Sequence, residues 1–87
     1  MAVMKDDILV SVVICTYNGA AYLQEQLASI INQTHKNLEI IISDDVSTDN
    51  TLEIARQLSK QDNRIRIYEN NFKLGIKKNF ETALQYA

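Results

Sequence analysis

The 87-residue sequence contains no proline and no tryptophan, a single cysteine, a single histidine and only two glycines. With glycine confined to Gly19 and Gly75, no stretch has the make-up of a long flexible linker. A lone Cys15 excludes an internal disulfide framework and suits a reducing compartment. The net charge of -2 leaves no basic footprint for nucleic acid. Long hydrophobic runs are also missing. The longest, Ile8 to Cys15, is too short to span a bilayer. It follows Lys5-Asp6-Asp7 rather than a positively charged leader, so no signal peptide is read. What is present is 46% hydrophobic and 23% charged, a globular composition. The length allows one small domain at most. These features imply a soluble cytoplasmic α/β domain, with residues 1–7 expected as a disordered N-terminus.

From Ile8 to Cys15 the chain is β-branched and almost continuously apolar, which suits a central parallel strand covered on both faces. Thr16-Tyr17-Asn18-Gly19 ends it, with Asn18 and Gly19 offering turn chemistry and a helix cap. Leu23, Leu27, Ile30 and Ile31 then mark one face of a helix. It is expected to end between Gln33 and Lys36, and Lys36 suits its negative end. Leu38 to Ser43 is a second strand that stops at two adjacent acids, Asp44 and Asp45. Asn50 and Glu53 have the spacing of a capping box, opening a second helix whose inward face is Leu52, Ala55 and Leu58. Its exposed side carries Arg56 and Lys60. Ile65, Ile67 and Tyr68 indicate a third strand. An irregular connection, Asn70 to Gly75, leads to a third helix with Ile76, Phe80, Ala83 and Leu84 as its apolar face. The order β-α-β-α-β-α with short connections implies a three-layer α/β/α arrangement around a parallel sheet.

The acids stand where open α/β sheets bind ligands, beyond the carboxyl ends of the strands. Cys15-Thr16-Tyr17-Asn18-Gly19-Ala20 has one glycine, so the Gly-x-Gly-x-x-Gly of dinucleotide folds is absent, as is a P-loop. Receiver domains place an acidic pair after the first strand, whereas here it follows the second. Adjacent strand ends lie about 4.8 Å apart, so Thr16, Tyr17 and Asp45 can share a crevice. A tyrosine ring offers a stacking face for a base, and a carboxylate accepts a ring N–H or ribose hydroxyls. Blander readings stand beside these. The acidic pair suits helix capping, Tyr17 suits packing, and Lys77 and Lys78 suit a solvated helix face. Cys15 reads as a small buried hydrophobe, and His35 as a turn residue without chemistry.

Val10 to Gly19, Leu27 to Thr34 and Leu38 to Asp49 together resemble the opening of family 2 glycosyltransferases, with similarity continuing from Asn70 to Leu84. The resemblance implies the N-terminal part of a GT-A, Rossmann-like domain over residues 8–87, belonging to an inverting transferase that uses a nucleotide-diphospho-sugar. It implies a nucleotide site of Thr16, Tyr17, Asn18, Asp44, Asp45 and Lys78. Tyr17 would stack on the base, often uracil, and Thr16 would line the pocket. Asp45 would accept the base N–H while Asp44 shapes the loop. Lys77 and Lys78 would approach the base or diphosphate. The family's Asp-x-Asp, which holds Mg or Mn on the donor, is absent from these residues. No catalytic and no metal-binding residue is therefore assigned to this chain. A glycan or lipid-linked acceptor follows, and cytoplasmic placement at the inner face of the plasma membrane is allowed. Membrane association is expected only through regions beyond these residues, and a homodimer is allowed.

Two departures are visible. Cys15 replaces a frequent proline, and Val46 replaces a common glycine, which is costly if that position needs a positive φ. Two other readings remain: a stand-alone nucleotide-binding or interaction module without catalysis, and a structural fragment whose sheet edge pairs with another chain.

Overall fold

A computed structural model describes residues 10–32 and 37–86. The β-branched opening run forms β1, Val10–Thr16. The isoleucine-rich run forms β2, Leu38–Asp44, and Ile65–Glu69 forms β3. Between and after them lie α1, Leu23–Ile31, α2, Thr51–Gln61, and α3, Ile76–Leu84. The three strands are parallel in the order β1-β2-β3. The order of strands and helices is the one expected. The tail 1–7, Ile8, Leu9 and residues 33–36, His35 among them, lie outside the described residues. The first helix ends earlier than expected, at Ile31 with Asn32 as its C-cap.

Side-chain parity along the strands fixes the layers, because successive residues point to opposite faces. Ile14, Ile40, Ile42 and Ile65 pack with Leu23 and Leu27 of α1 and Ala55 of α2. The alternate positions face α3, which crosses β1 and β2 on the other side. Ile40, Ile41 and Ile42 are all fully buried because β2, and not β1 as expected, is the central strand. β1 lies at an edge of the described sheet, with Val10 exposed. Beyond α3, Tyr86 stacks on Tyr68 of β3, with ring centroids 3.8 Å apart.

Three local expectations are corrected. Asn50 precedes α2 but makes no side-chain cap, so the capping box does not form. Asp49 takes that role instead, accepting the Thr51 N–H at 3.0 Å and bonding its hydroxyl. A short acid at this position reaches the helix's unpaired N–H groups as asparagine would. Asn18 does not cap α1; Tyr22 occupies the cap position without a side-chain bond. The apolar stripe of α3 is not its buried face: Ile76 is 88% exposed, Phe80 46% and Leu84 50%. Of the expected face Ala83 is buried, together with Asn79, which was not part of it. A small residue and a hydrogen-bonding one let the helix lie close against polar strand ends.

Candidate functional site

The register of β1 on β2 pairs Thr16 with Asp44, so the two strands end level. The ladder continues one step: the Asp45 N–H donates to the Thr16 carbonyl at 2.9 Å, and the Asn70 N–H to the Asp44 carbonyl at 2.9 Å. Parity then separates the two acids. Asp44 has the parity of Ile42 and is directed to the α1 and α2 side, while Asp45 has that of Ser43 and faces α3.

Asp44 is fully buried and braces the loops. It accepts the Thr16 hydroxyl at 2.6 Å, the Ser47 hydroxyl at 2.6 Å and the Ser47 N–H at 2.9 Å. Asn18, with φ of 52°, extends the brace. Its Oδ1 accepts the Thr48 N–H at 2.7 Å and the Asp49 N–H at 3.3 Å. Its own N–H donates to Ser47 Oγ at 2.9 Å. Gly19 donates to Thr51 Oγ1 at 2.9 Å. The loops after β1 and β2 are thereby one unit. Val46 sits within it at φ of 59°, a conformation costly for a β-branched residue.

Asp45 is also buried, and its partners come from far along the chain. It accepts the Leu74 N–H at 2.7 Å, the Gly75 N–H at 2.8 Å and the Asn70 amide at 3.0 Å. The acid therefore anchors the start of α3 rather than that of α2. Burial alone pushes its pKa up, but the donors from Leu74, Asn70 and Gly75, with the Lys73 charge, outweigh it and hold the carboxyl below its ordinary value. Asn79 completes a buried network. Its Oδ1 accepts the Ser43 hydroxyl at 2.7 Å and the Asn70 amide at 2.9 Å, and its Nδ2 donates to the Ser43 carbonyl at 3.1 Å.

These groups surround a cleft of about 280 Å³ lined by Cys15, Thr16, Tyr17, Tyr22, Asp45, Ile76 and Asn79. A larger hollow of about 510 Å³ is lined by Tyr22, Glu25, Gln26, Ser29 and Ile30, all from α1 and the residue before it, and takes in none of the strand-end residues. Of the expected site residues, the cleft brings together Thr16, Tyr17 and Asp45. Asn18 and Asp44 lie behind it as its frame, and Lys78 is exposed on α3 outside the lining. Cys15 is half-buried at the cleft wall, where burial and then the Asp45 charge push its thiol pKa up. Tyr17 is 41% exposed, and the Lys73 ammonium lies 3.8 Å from its ring centroid.

Sequence reasoning did not find Lys73, Asn70 or Asn79. Lys73 and Asn70 fall in an aperiodic connection. The signal for Asn79 was its position: a polar residue one turn before Ala83, on the helix face turned to the sheet. Among the described residues, no group of three or more His, Cys, Asp or Glu could hold a metal ion. Asp44 and Asp45 each give three acceptor positions to internal donors, which leaves too few free oxygens to hold a divalent cation.

The sequence profile described as Glycosyl transferase family 2 matches residues 11–87. An uncharacterized glycosyltransferase from Haemophilus influenzae is 49% identical over 73 residues, covering 84% of this chain and 23% of the relative. The UDP-Glc:alpha-D-GlcNAc-diphosphoundecaprenol beta-1,3-glucosyltransferase WfgD of Escherichia coli is 35% identical, covering 94% of this chain and 32% of the relative. Among solved structures, mannosyltransferase PcManGT from Pyrobaculum calidifontis, in complex with GDP-Man and Mn2+, superposes with a TM-score of 0.82 at 28% identity. That likeness covers 91% of this chain and 24% of the mannosyltransferase. The chain thus spans between about a quarter and a third of the length of these proteins.

Proposed function

The chain belongs to glycosyl transferase family 2, and from that premise we propose that it binds the nucleotide of a nucleotide-diphospho-sugar, with UDP as carrier. The enzyme it serves would pass the sugar to a growing glycan or lipid-linked acceptor, in the cytoplasm at the inner face of the membrane. The observation that carries this reading is the cleft at the strand ends, where the exposed Tyr17 ring and the buried Asp45 carboxylate line one hollow. The ring supplies a stacking surface. Asp45 spends three acceptor positions on Asn70, Leu74 and Gly75. A carboxylate has about four, so one remains for a base N–H. Asp44, Thr16, Asn18 and Ser47 would keep that geometry fixed when the base arrives.

The chemistry of such an enzyme is displacement at the anomeric carbon by an acceptor hydroxyl, which needs a general base. Asp45 is unsuited to that task, since three donors and a depressed pKa make it a weak proton acceptor. A divalent cation on the donor, as in the mannosyltransferase complex, would supply electrostatic stabilisation of the leaving diphosphate. This chain's residues hold and orient the nucleoside end. No helix among the described residues is long and apolar enough to cross a membrane.

The donor in the E. coli relative's name is UDP-Glc, whereas the archaeal complex holds GDP-Man. Both bases present a ring N–H, so the test uses both nucleotides. Amide NMR of the intact protein titrated with UDP should move Thr16, Tyr17 and Asp45. Tyr17→Ala should weaken binding by about 5- to 150-fold, the worth of base stacking. Tighter binding of GDP would transfer the donor assignment to guanosine. Indifference to both nucleotides would sink the reading.

A further inference from the structure

We propose that Lys73 contacts the donor diphosphate, its ammonium being held ready on the Tyr17 ring beside the cleft; this rests on the nucleotide reading above. Three observations carry it. The ammonium lies 3.8 Å from the ring centroid, so the tyrosine and the lysine are placed as a pair. No carboxylate among the described residues forms an ion pair with Lys73. A ring face, unlike a paired carboxylate, takes none of its three N–H donors. Lastly, the connection that carries it is fixed at both ends by one acid: Asp45 accepts from Asn70 before Lys73 and from Leu74 and Gly75 after it.

The cleft needs such a cation. Two buried carboxylates, Asp44 and Asp45, lie at the same strand end and repel an arriving anion. Lys77 and Lys78 are exposed on α3 and do not line the cleft. Among the described residues Lys73 is the lysine whose ammonium lies on the side chain of a lining residue, Tyr17, which makes it the counter-charge for a ligand with a base at one end and phosphates at the other. On binding, the base would take the open part of the Tyr17 ring while the ammonium turns to the phosphate oxygens.

The test compares UDP with uridine by titration calorimetry on the intact protein, for wild type, Lys73→Gln and Lys73→Arg, at low and high salt. Lys73→Gln should weaken UDP about tenfold, the scale of a charge-assisted hydrogen bond. It should weaken uridine less than about threefold, the scale of an exposed cation–π contact. Lys73→Arg should keep most of the UDP affinity, and the salt dependence of UDP binding should fall in Lys73→Gln alone. A merely structural lysine would change both ligands alike. Equal loss for UDP and uridine, or no loss for either, would overturn the assignment while leaving the nucleotide reading intact. A wild type that binds neither would overturn both.

Discussion

Val46 shows how a single residue can oppose the loop it serves. Its φ of 59° is left-handed, and the residue is 40% exposed, so packing compensates only in part. The left-handed conformation costs an L-residue about 1–2 kcal/mol, and glycine loses about 0.5–1 kcal/mol of that through its freer unfolded chain. Val46→Gly should therefore raise stability by about 0.5–1 kcal/mol, read as a higher urea midpoint at unchanged slope. Asp45 gives the opposite kind of prediction. Its folded pKa lies below the unfolded value of about 3.9. Its contribution is fully present above that value and is lost as pH falls toward the folded pKa. The stability gap between wild type and Asp45→Asn should therefore be widest at neutral pH and shrink below about pH 4. A gap that stays constant down to strong acid would contradict it. At this scale the acidic pair was legible, because an isoleucine run ending in carboxylates marks a sheet rim. The donors to Asp45 were not: Leu74 and Gly75 are backbone groups 29 and 30 residues away, and no side-chain pattern announces a backbone N–H.

For elements, periodicity identified every strand and helix among the described residues, since apolar spacing reports burial directly. The orientation of α3 escaped it. Ile76, Phe80 and Leu84 form a regular stripe, yet the helix turns Asn79 and Ala83 to the sheet. Three hydrogen bonds at Asn79, two of them buried, outweigh the apolar stripe, because the strand end it covers presents the Ser43 hydroxyl and carbonyl. Asn79→Ala should accordingly cost about 2–3 kcal/mol by leaving those groups buried and unpaired, measured by chemical denaturation. The exposed ion pair of Arg56 with Glu69 joins α2 to β3. Its loss in Arg56→Ala should change stability by less than about 1 kcal/mol.

Taken whole, the described molecule leaves apolar surface on its α3 side, where Ile76, Phe80 and Leu84 join the exposed Phe72. Substituting Phe80 and Leu84 together by lysine should cost little stability, since both are about half exposed. It should raise the concentration at which the 87-residue chain begins to scatter light. Unchanged scattering would assign any stickiness to the sheet edges instead. The layered α/β architecture was readable from strand and helix alternation, and the family from three ordered motifs. The division of labour between Asp44 and Asp45 followed from parity alone, once the register was known.

That parity sets what kinds of sequence change β2 can survive. Exchanging one of its isoleucines for valine trims a methylene and leaves every neighbour in place. Removing one residue between Leu38 and Ser43 is a different event, because either Asp45 then stands where Asp44 stood or every side chain upstream of the gap changes face. The strand should thus tolerate many spellings but only one length, and a library of single-codon deletions would show a gap in survival spanning β2.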